Sequence, residues 1–187
     1  KRYFEAYLWG AAGQLPDESR IFGHEYAPGI TASDDIFTVM SSDIFRGSAF
    51  ALGYVNPDNL RGMNVWSDMY KVIRKANLML ARMDECQDMT ALDRRNYTGY
   101  IHFLRGYAYY HILMTCGPAI LVGDEIFESN LDGPAYNTYR ATYDETVEYI
   151  CSELETAAAY LPLKASIAQF ERPTKGAAYA LIARLRL

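Results

Sequence analysis

Apolar residues recur every third or fourth position in four long stretches, the spacing of helices with buried faces. Residues 65–84 place Trp66, Tyr70, Ile73, Asn77 and Leu80 on one stripe and Met69, Val72, Ala76, Met79 and Met83 on the next. Residues 91–116 carry Tyr97, Ile101, Leu104, Ala108 and Ile112 on one stripe and Tyr100, Phe103, Tyr107, Tyr110 and Met114 on another. A helix apolar on most sides is packed on most sides. Residues 142–161 hold Val147, Ile150, Cys151, Leu154, Ala157, Ala158 and Leu161, and residues 174–187 hold Ala177, Ala178, Leu181, Ile182 and Leu185. A looser repeat over residues 1–15 (Phe4, Tyr7, Leu8, Ala11, Ala12, Leu15) predicts a further helix, weakened by Gly10 and Gly13 and stopped by Pro16.

The punctuation fits these periods. Thr142 and Glu145 have the spacing of a capping box, in which each side chain satisfies a free donor of the first turn. Thr174, after Pro173, suits an N-cap. Gly117-Pro118 and Pro162 stop the helices they follow. The last stripe reaches Leu187 without a stop, so the expectation is that the chain continues in the native protein. Two antiparallel pairs result, 65–84 with 91–116 and 142–161 with 174–187. In the first, Tyr70 and Ile73 should meet Leu104 and Ala108; in the second, Ala178 and Leu181 should face Leu154 and Ala158. The fold class expected is all-α, with tetratricopeptide-like helical hairpins and long loops in one domain over residues 1–187. The hairpin starts lie too far apart for the period of about 34 residues that a true repeat would show.

Two polar residues break the apolar stripes. A buried Asn77 needs hydrogen-bond partners, and tethering a loop is a commoner use for it than touching a ligand. Arg105 must snorkel or pair with a carboxylate. The segment 16–64 has no sustained period, and its apolar residues are mainly aromatic: Phe22, Tyr26, Phe37, Phe45, Phe50 and Tyr54. A long loop of this kind is functional or wraps the core, so a binding surface is expected there.

Composition narrows the function classes. The chain of 187 residues is 50% apolar with a net charge of −5, and no basic run offers the clustered Lys and Arg that nucleic acid requires. No apolar stretch approaches the roughly 20 residues that span a bilayer. The opening Lys1-Arg2-Tyr3-Phe4 lacks the apolar core of a signal peptide. Cys86, Cys116 and Cys151 form no CxxC pattern, which argues against zinc and for free thiols. His102 and His111 are nine residues apart on one helix and point to opposite faces, so they cannot share a metal or substrate. Asp34-Asp35 with Asp43 matches no calcium loop. No catalytic residue, metal ligand or cofactor is expected. Tyrosine is abundant, with 16 Tyr beside 8 Phe and 2 Trp, and its flat body and polar tip suit both cores and wet binding surfaces.

The segments from Trp66 to Asn77, Phe103 to Tyr110, Arg140 to Pro162 and Arg172 to Leu187, in that order, together resemble the SusD/RagB family of outer-membrane nutrient-binding lipoproteins. Trp66-Ser-Asp-Met-Tyr70-Lys-Val-Ile73-Arg-Lys-Ala76-Asn77 is similar to its W-x3-Y-x2-I-x2-A-N helix. Phe103-Leu104-Arg105-Gly106-Tyr107-Ala108-Tyr109-Tyr110 is similar to its FLRAxxYY helix, with Gly106 in place of the usual Ala, and Cys116-Gly117-Pro118-Ala119 follows where the family has Y-G-x-[VI]-P. Arg140 to Glu145 leading to Leu161-Pro162, and Arg172-Pro-Thr174 to Leu187, complete the order. The likeness covers residues 31–187 well and 1–30 loosely. Family members are much longer, so the resemblance implies an N-terminal portion without the lipidated cysteine or the C-terminal half.

The resemblance also implies a lipid-anchored location at the outer-membrane cell surface, a SusC-type TonB-dependent transporter as partner, and a glycan or, in some relatives, a peptide as ligand. It implies membrane attachment only through an N-terminal lipid that this chain lacks. Aromatic rings pack on the C–H face of a sugar while Asp, Asn and Arg meet its hydroxyls. On that chemistry the candidate ligand residues are Asp34, Asp35, Phe45, Arg46, Tyr54, Asn56 and Arg61. The competing reading is a helical-hairpin scaffold that binds only a protein partner.

Overall fold

The structure, a computed structural model, describes residues 1–16, 53–56, 58, 65–127, 138–167 and 170–187. The chain divides into two compact units, one of residues 1–15 with 66–187 and one of residues 16–65. The first unit holds five α-helices, and no strand occurs among the described residues. They are α1 (Arg2–Ala12), α2 (Trp66–Arg82), α3 (Ala91–Cys116), α4 (Tyr143–Tyr160) and α5 (Lys175–Arg186).

Each helix packs on its neighbour in the chain: α1 on α2, α2 on α3, α3 on α4 and α4 on α5. This is the stacked arrangement of helical hairpins that the periodicity predicts. The core follows the stripes. Met69, Val72, Ile73 and Ala76 of α2, Ile101, Leu104, Ala108 and Ile112 of α3, and Ile150, Leu154 and Ala157 of α4 are all buried. The aromatics of α3 extend this core. Tyr109 is fully buried and takes the ring of Tyr149 edge-on at 5.1 Å, while Tyr107 and Tyr110 stack at 5.9 Å.

Caps fix where the helices begin. Thr142 Oγ1 accepts from the Glu145 amide, and the Glu145 carboxylate accepts from the Thr142 amide at 2.8 Å, which completes the expected box. Thr90 and Asp93 build the same box at the start of α3. Thr174 caps α5 through the Ala177 amide. Gly117 closes α3 with φ of +78°, a conformation that an L side chain resists. Two ends differ from the sequence reading. α1 stops at Ala12, where Gly13 follows, and α2 gives way at Met83–Glu85 to a tighter 3-10 turn.

Both expected helix pairs form, α2 with α3 and α4 with α5. Tyr70 presents its ring to Tyr109, the residue after Ala108, at 6.3 Å. Glycine decides how closely α3 and α4 approach. A Cβ on Gly106 would stand 3.3 Å from Glu153 Cβ and from the Leu154 side chain. Leu154 thus meets α3. Ala178 is the buried residue of α5, and Leu181 is only half-buried. The three cysteines are free: Cys151 is buried in α4, and Cys86 and Cys116 are half-buried.

Candidate functional site

Of the seven candidate ligand residues, Asp34, Asp35, Phe45, Arg46 and Arg61 lie outside the described residues. Tyr54 and Asn56 are described and both are exposed, Tyr54 by 56%. Asn56 Oδ1 accepts a hydrogen bond from the Asp58 amide at 3.0 Å, so the side chain shapes its own turn. An exposed ring two residues from an exposed amide is the pairing that sugar recognition uses, an apolar face beside a hydrogen-bonding group.

In the helical unit the polar chemistry converges on Arg105. Its helix is apolar on most sides, so the guanidinium is carried into the interior, where the residue is only 3% exposed. Nε and Nη2 donate to the two carboxylate oxygens of Glu153 on α4 at 2.8 and 2.7 Å, a fork-to-fork pair. Nη1 donates to Asn77 Oδ1 on α2 at 2.7 Å and to Asp124 Oδ1 at 2.6 Å. His102 Nδ1 also meets Glu153 Oε2, at 2.9 Å. Burial is the largest influence on Glu153 and by itself would raise its carboxyl. The bonds from His102 and Arg105, with the arginine's charge, outweigh it and hold the carboxyl below its ordinary range. Burial likewise opposes the charge of Arg105, and its bonds to Glu153 and Asp124 more than restore it. The bonds join residues of α2, α3 and α4, so this centre ties three helices together.

Asn77, with Tyr70, Tyr109 and Thr146, fastens the segment from Ala119 to Glu125. Asn77 Nδ2 donates to the carbonyls of Gly123 and Glu125 at 2.9 and 2.8 Å. Tyr70 Oη donates to the Ile120 carbonyl and accepts from the Ile120 amide. Tyr109 Oη accepts from the Val122 amide at 3.1 Å, and Thr146 Oγ1 accepts from the Ala119 amide. Burial pushes the Tyr70 hydroxyl up to about 12, so it stays a donor at any ordinary pH. Extended backbone that finds no ladder has been paired with side chains, as buried peptide groups require. Asn77 is therefore the loop tether its place on the stripe suggested. Arg105 pairs with a carboxylate, as expected.

Sequence reasoning did not find that the carboxylate is Glu153, nor that His102 and Asp124 join the Arg105 centre, nor that Tyr70 and Tyr109 hold the main chain of Ile120 and Val122. Glu153 had a signal: it stands beside Leu154 on the core side of α4. The others are ordinary surface or core residues in sequence, and only the packing brings them together. His111 is buried with its ring edge-on to Tyr107 at 4.5 Å, on the face of α3 away from His102, as the helical period requires. Among the described residues no group of three His, Cys, Asp or Glu is placed to hold a metal ion, and no helix is long and apolar enough to cross a membrane.

Comparison with known proteins places this architecture. A SusD-like protein from Bacteroides fragilis superposes with a TM-score of 0.78 at 23% identity, over 100% of this chain and 34% of its own. Surface glycan-binding protein A from Bacteroides uniformis gives 0.74 at 21%, over 98% of this chain and 41% of its own. The Bacteroides thetaiotaomicron counterpart, solved in complex with laminarihexaose, gives 0.69 at 17%, over 99% of this chain and 38% of its own. The chain thus spans between about a third and two fifths of these relatives, and at such identities they share its fold. No curated protein matches it. A model of the SusD-like family, described as starch-binding and associating with the outer membrane, matches residues 29–187, and the chain belongs to that family.

Proposed function

We propose that this chain is the N-terminal helical part of a cell-surface protein that captures glycan and passes it to a SusC-type TonB-dependent transporter in the outer membrane. The observation that carries the reading is the family match over residues 29–187, whose description joins starch binding to the outer membrane. Two structural neighbours add weight: one is named as a laminarin-binding SusD-like protein, and another was solved with laminarihexaose. The exposed Tyr54 and Asn56 supply the ring and the amide that a sugar needs, and the proposal extends to Asp34, Asp35, Phe45, Arg46 and Arg61 on the chemistry of their side chains. The protein is read as a binder without catalytic activity. In support, the buried carboxylate of Glu153 is committed to Arg105 and His102. A lipid at the N-terminus of the whole protein would supply the anchor.

The test is titration calorimetry with laminarin and starch oligosaccharides, on this chain and on Tyr54→Ala and Asn56→Ala. Saturable binding that either substitution weakens about tenfold or more supports the reading; that is the loss of one stacking or hydrogen-bonding contact of about 1.4 kcal/mol. A chain that binds neither glycan yet co-purifies with a SusC-type transporter would be a scaffold, and the glycan-binding part of the proposal would fall. Product release from either oligosaccharide would overturn the non-catalytic reading.

A further inference from the structure

Arg172 lies in the connector ahead of α5, and its side chain reaches α1. Its guanidinium stands 4.9 Å from the ring centroid of Trp9 and 5.8 Å from that of Tyr100. Those two rings are 5.6 Å apart and tilted by 52°, so they form two walls of a wedge. Glu5, one turn before Trp9 on α1, closes the wedge and accepts from Arg172 Nη2 at 3.0 Å. Tyr100 is buried, whereas Arg172 and Glu5 keep partial contact with water, with side chains 24% and 31% exposed. A flat, weakly hydrated cation gains from aromatic faces, and its N–H groups gain from a carboxylate at the rim. An ammonium is more strongly hydrated and has no flat face to lay on a ring.

The other tryptophan makes a useful contrast. Arg140 stands over Trp66 at 4.5 Å, but its Nη1 donates to the main-chain carbonyls of Cys116 and Pro118. That contact combines one ring with two neutral acceptors. Around Arg172 two rings and a charged acceptor come from α1 and α3, so the site is built by elements distant in sequence from the group that fills it.

We propose that Trp9, Tyr100 and Glu5 form a guanidinium-binding cage, and that Arg172 is the chain's own removable occupant. The contact is a clasp between the connector and the N-terminal helix, and when vacated it accepts an external guanidinium group such as an arginine side chain.

The experiment uses the protein with Trp66→Phe, which leaves Trp9 as its sole tryptophan reporter. In that background Arg172→Ala should move Trp9 emission to longer wavelength as the ring gains water. Guanidinium chloride at millimolar concentration, far below its denaturing range, should then reverse the shift saturably. Sodium chloride and ethylammonium chloride at equal ionic strength should not, and the protein that retains Arg172 should not respond to guanidinium. No saturable response, an equal response to sodium or ethylammonium, or an equal response with Arg172 present would each overturn the proposal. Should Arg172→Ala fail to fold, Arg172→Lys keeps the charge and loses the flat face. Emission shifted from that of the parent is the expected result, and emission like the parent's would overturn the selectivity for guanidinium.

Discussion

Arg105 shows how one residue in a helix of mostly apolar faces can set the chemistry around it. Its N–H donors find every partner on another element: the buried Glu153 and Asn77, the Gly123 carbonyl, and Asp124 at the solvent-exposed rim. Removing one of the two buried charges leaves the other without its buried partner. Glu153→Gln should lower stability by about 3–5 kcal/mol, read from the denaturation midpoint, because the buried guanidinium loses its buried countercharge and keeps only that of the exposed Asp124. Replacing Arg105 with Met and Glu153 with Leu together should recover much of that loss, since neither charge is then left unpaired. Acid should act through the same group. The Glu153 carboxyl is held below its ordinary range in the folded state. Its contribution to stability is therefore complete above the unfolded value of about 4.3 and fades as pH falls through the lower folded value. A melting temperature flat from neutral pH to about 5, then falling, is the expected profile. In Glu153→Gln the acid limb should be shallower; an unchanged limb would assign it to other carboxylates.

At the level of elements, close approach is set by glycine and entry angle by caps. Gly99 and Gly106 both lie on the face of α3 that meets the second hairpin, but they differ in what a methyl group would strike. At Gly99 a Cβ would come within 3.0 Å of the Leu161 backbone nitrogen, which cannot swing aside. At Gly106 its nearest neighbours are the Glu153 Cβ and Leu154 side chain at 3.3 Å, which can yield by a few tenths of an ångström. Gly106→Ala should thus fall close to neutral, as the gain in helix propensity of about 1 kcal/mol offsets the crowding. Gly99→Ala should cost about 1–3 kcal/mol. Paired thermal melts test this ordering, and equal midpoints would show that the two contacts are equally soft. The T-x-x-E box at Thr142 and the period of α2 were legible in sequence because they are local. The 3-10 turn at Met83–Glu85 was not, since the stripe through Met83 continues unbroken.

Across the helical unit, burial is uneven, and stability should be uneven with it. α3 is packed on both sides and carries the Arg105 centre, whereas α5 contributes Ala178 as its buried residue, and α1 is held by Leu8, Ala11 and the Arg172 clasp. Hydrogen exchange should be slowest in α3 and the facing side of α4 and fastest at α1 and α5, because local opening follows the amount of buried surface lost. Uniform protection would point to one all-or-none unit. The sequence alone determined the helices, their limits to within a few residues, the stacked hairpin class and the family, because periodicity, caps and motif order are properties of neighbouring residues. It also marked Asn77 and Arg105 as polar groups in need of partners. Which partners they took was decided only by the tertiary structure. Glu153, Asp124, Tyr70 and Tyr109 lie up to some 50 residues from the groups they bind, and a hydrogen bond is a matter of ångströms that no spacing along the chain encodes. Arg172 reaching Glu5 across the length of the chain is the same case: the charge was visible, and the cage that receives it exists only once α1 and α3 have packed together.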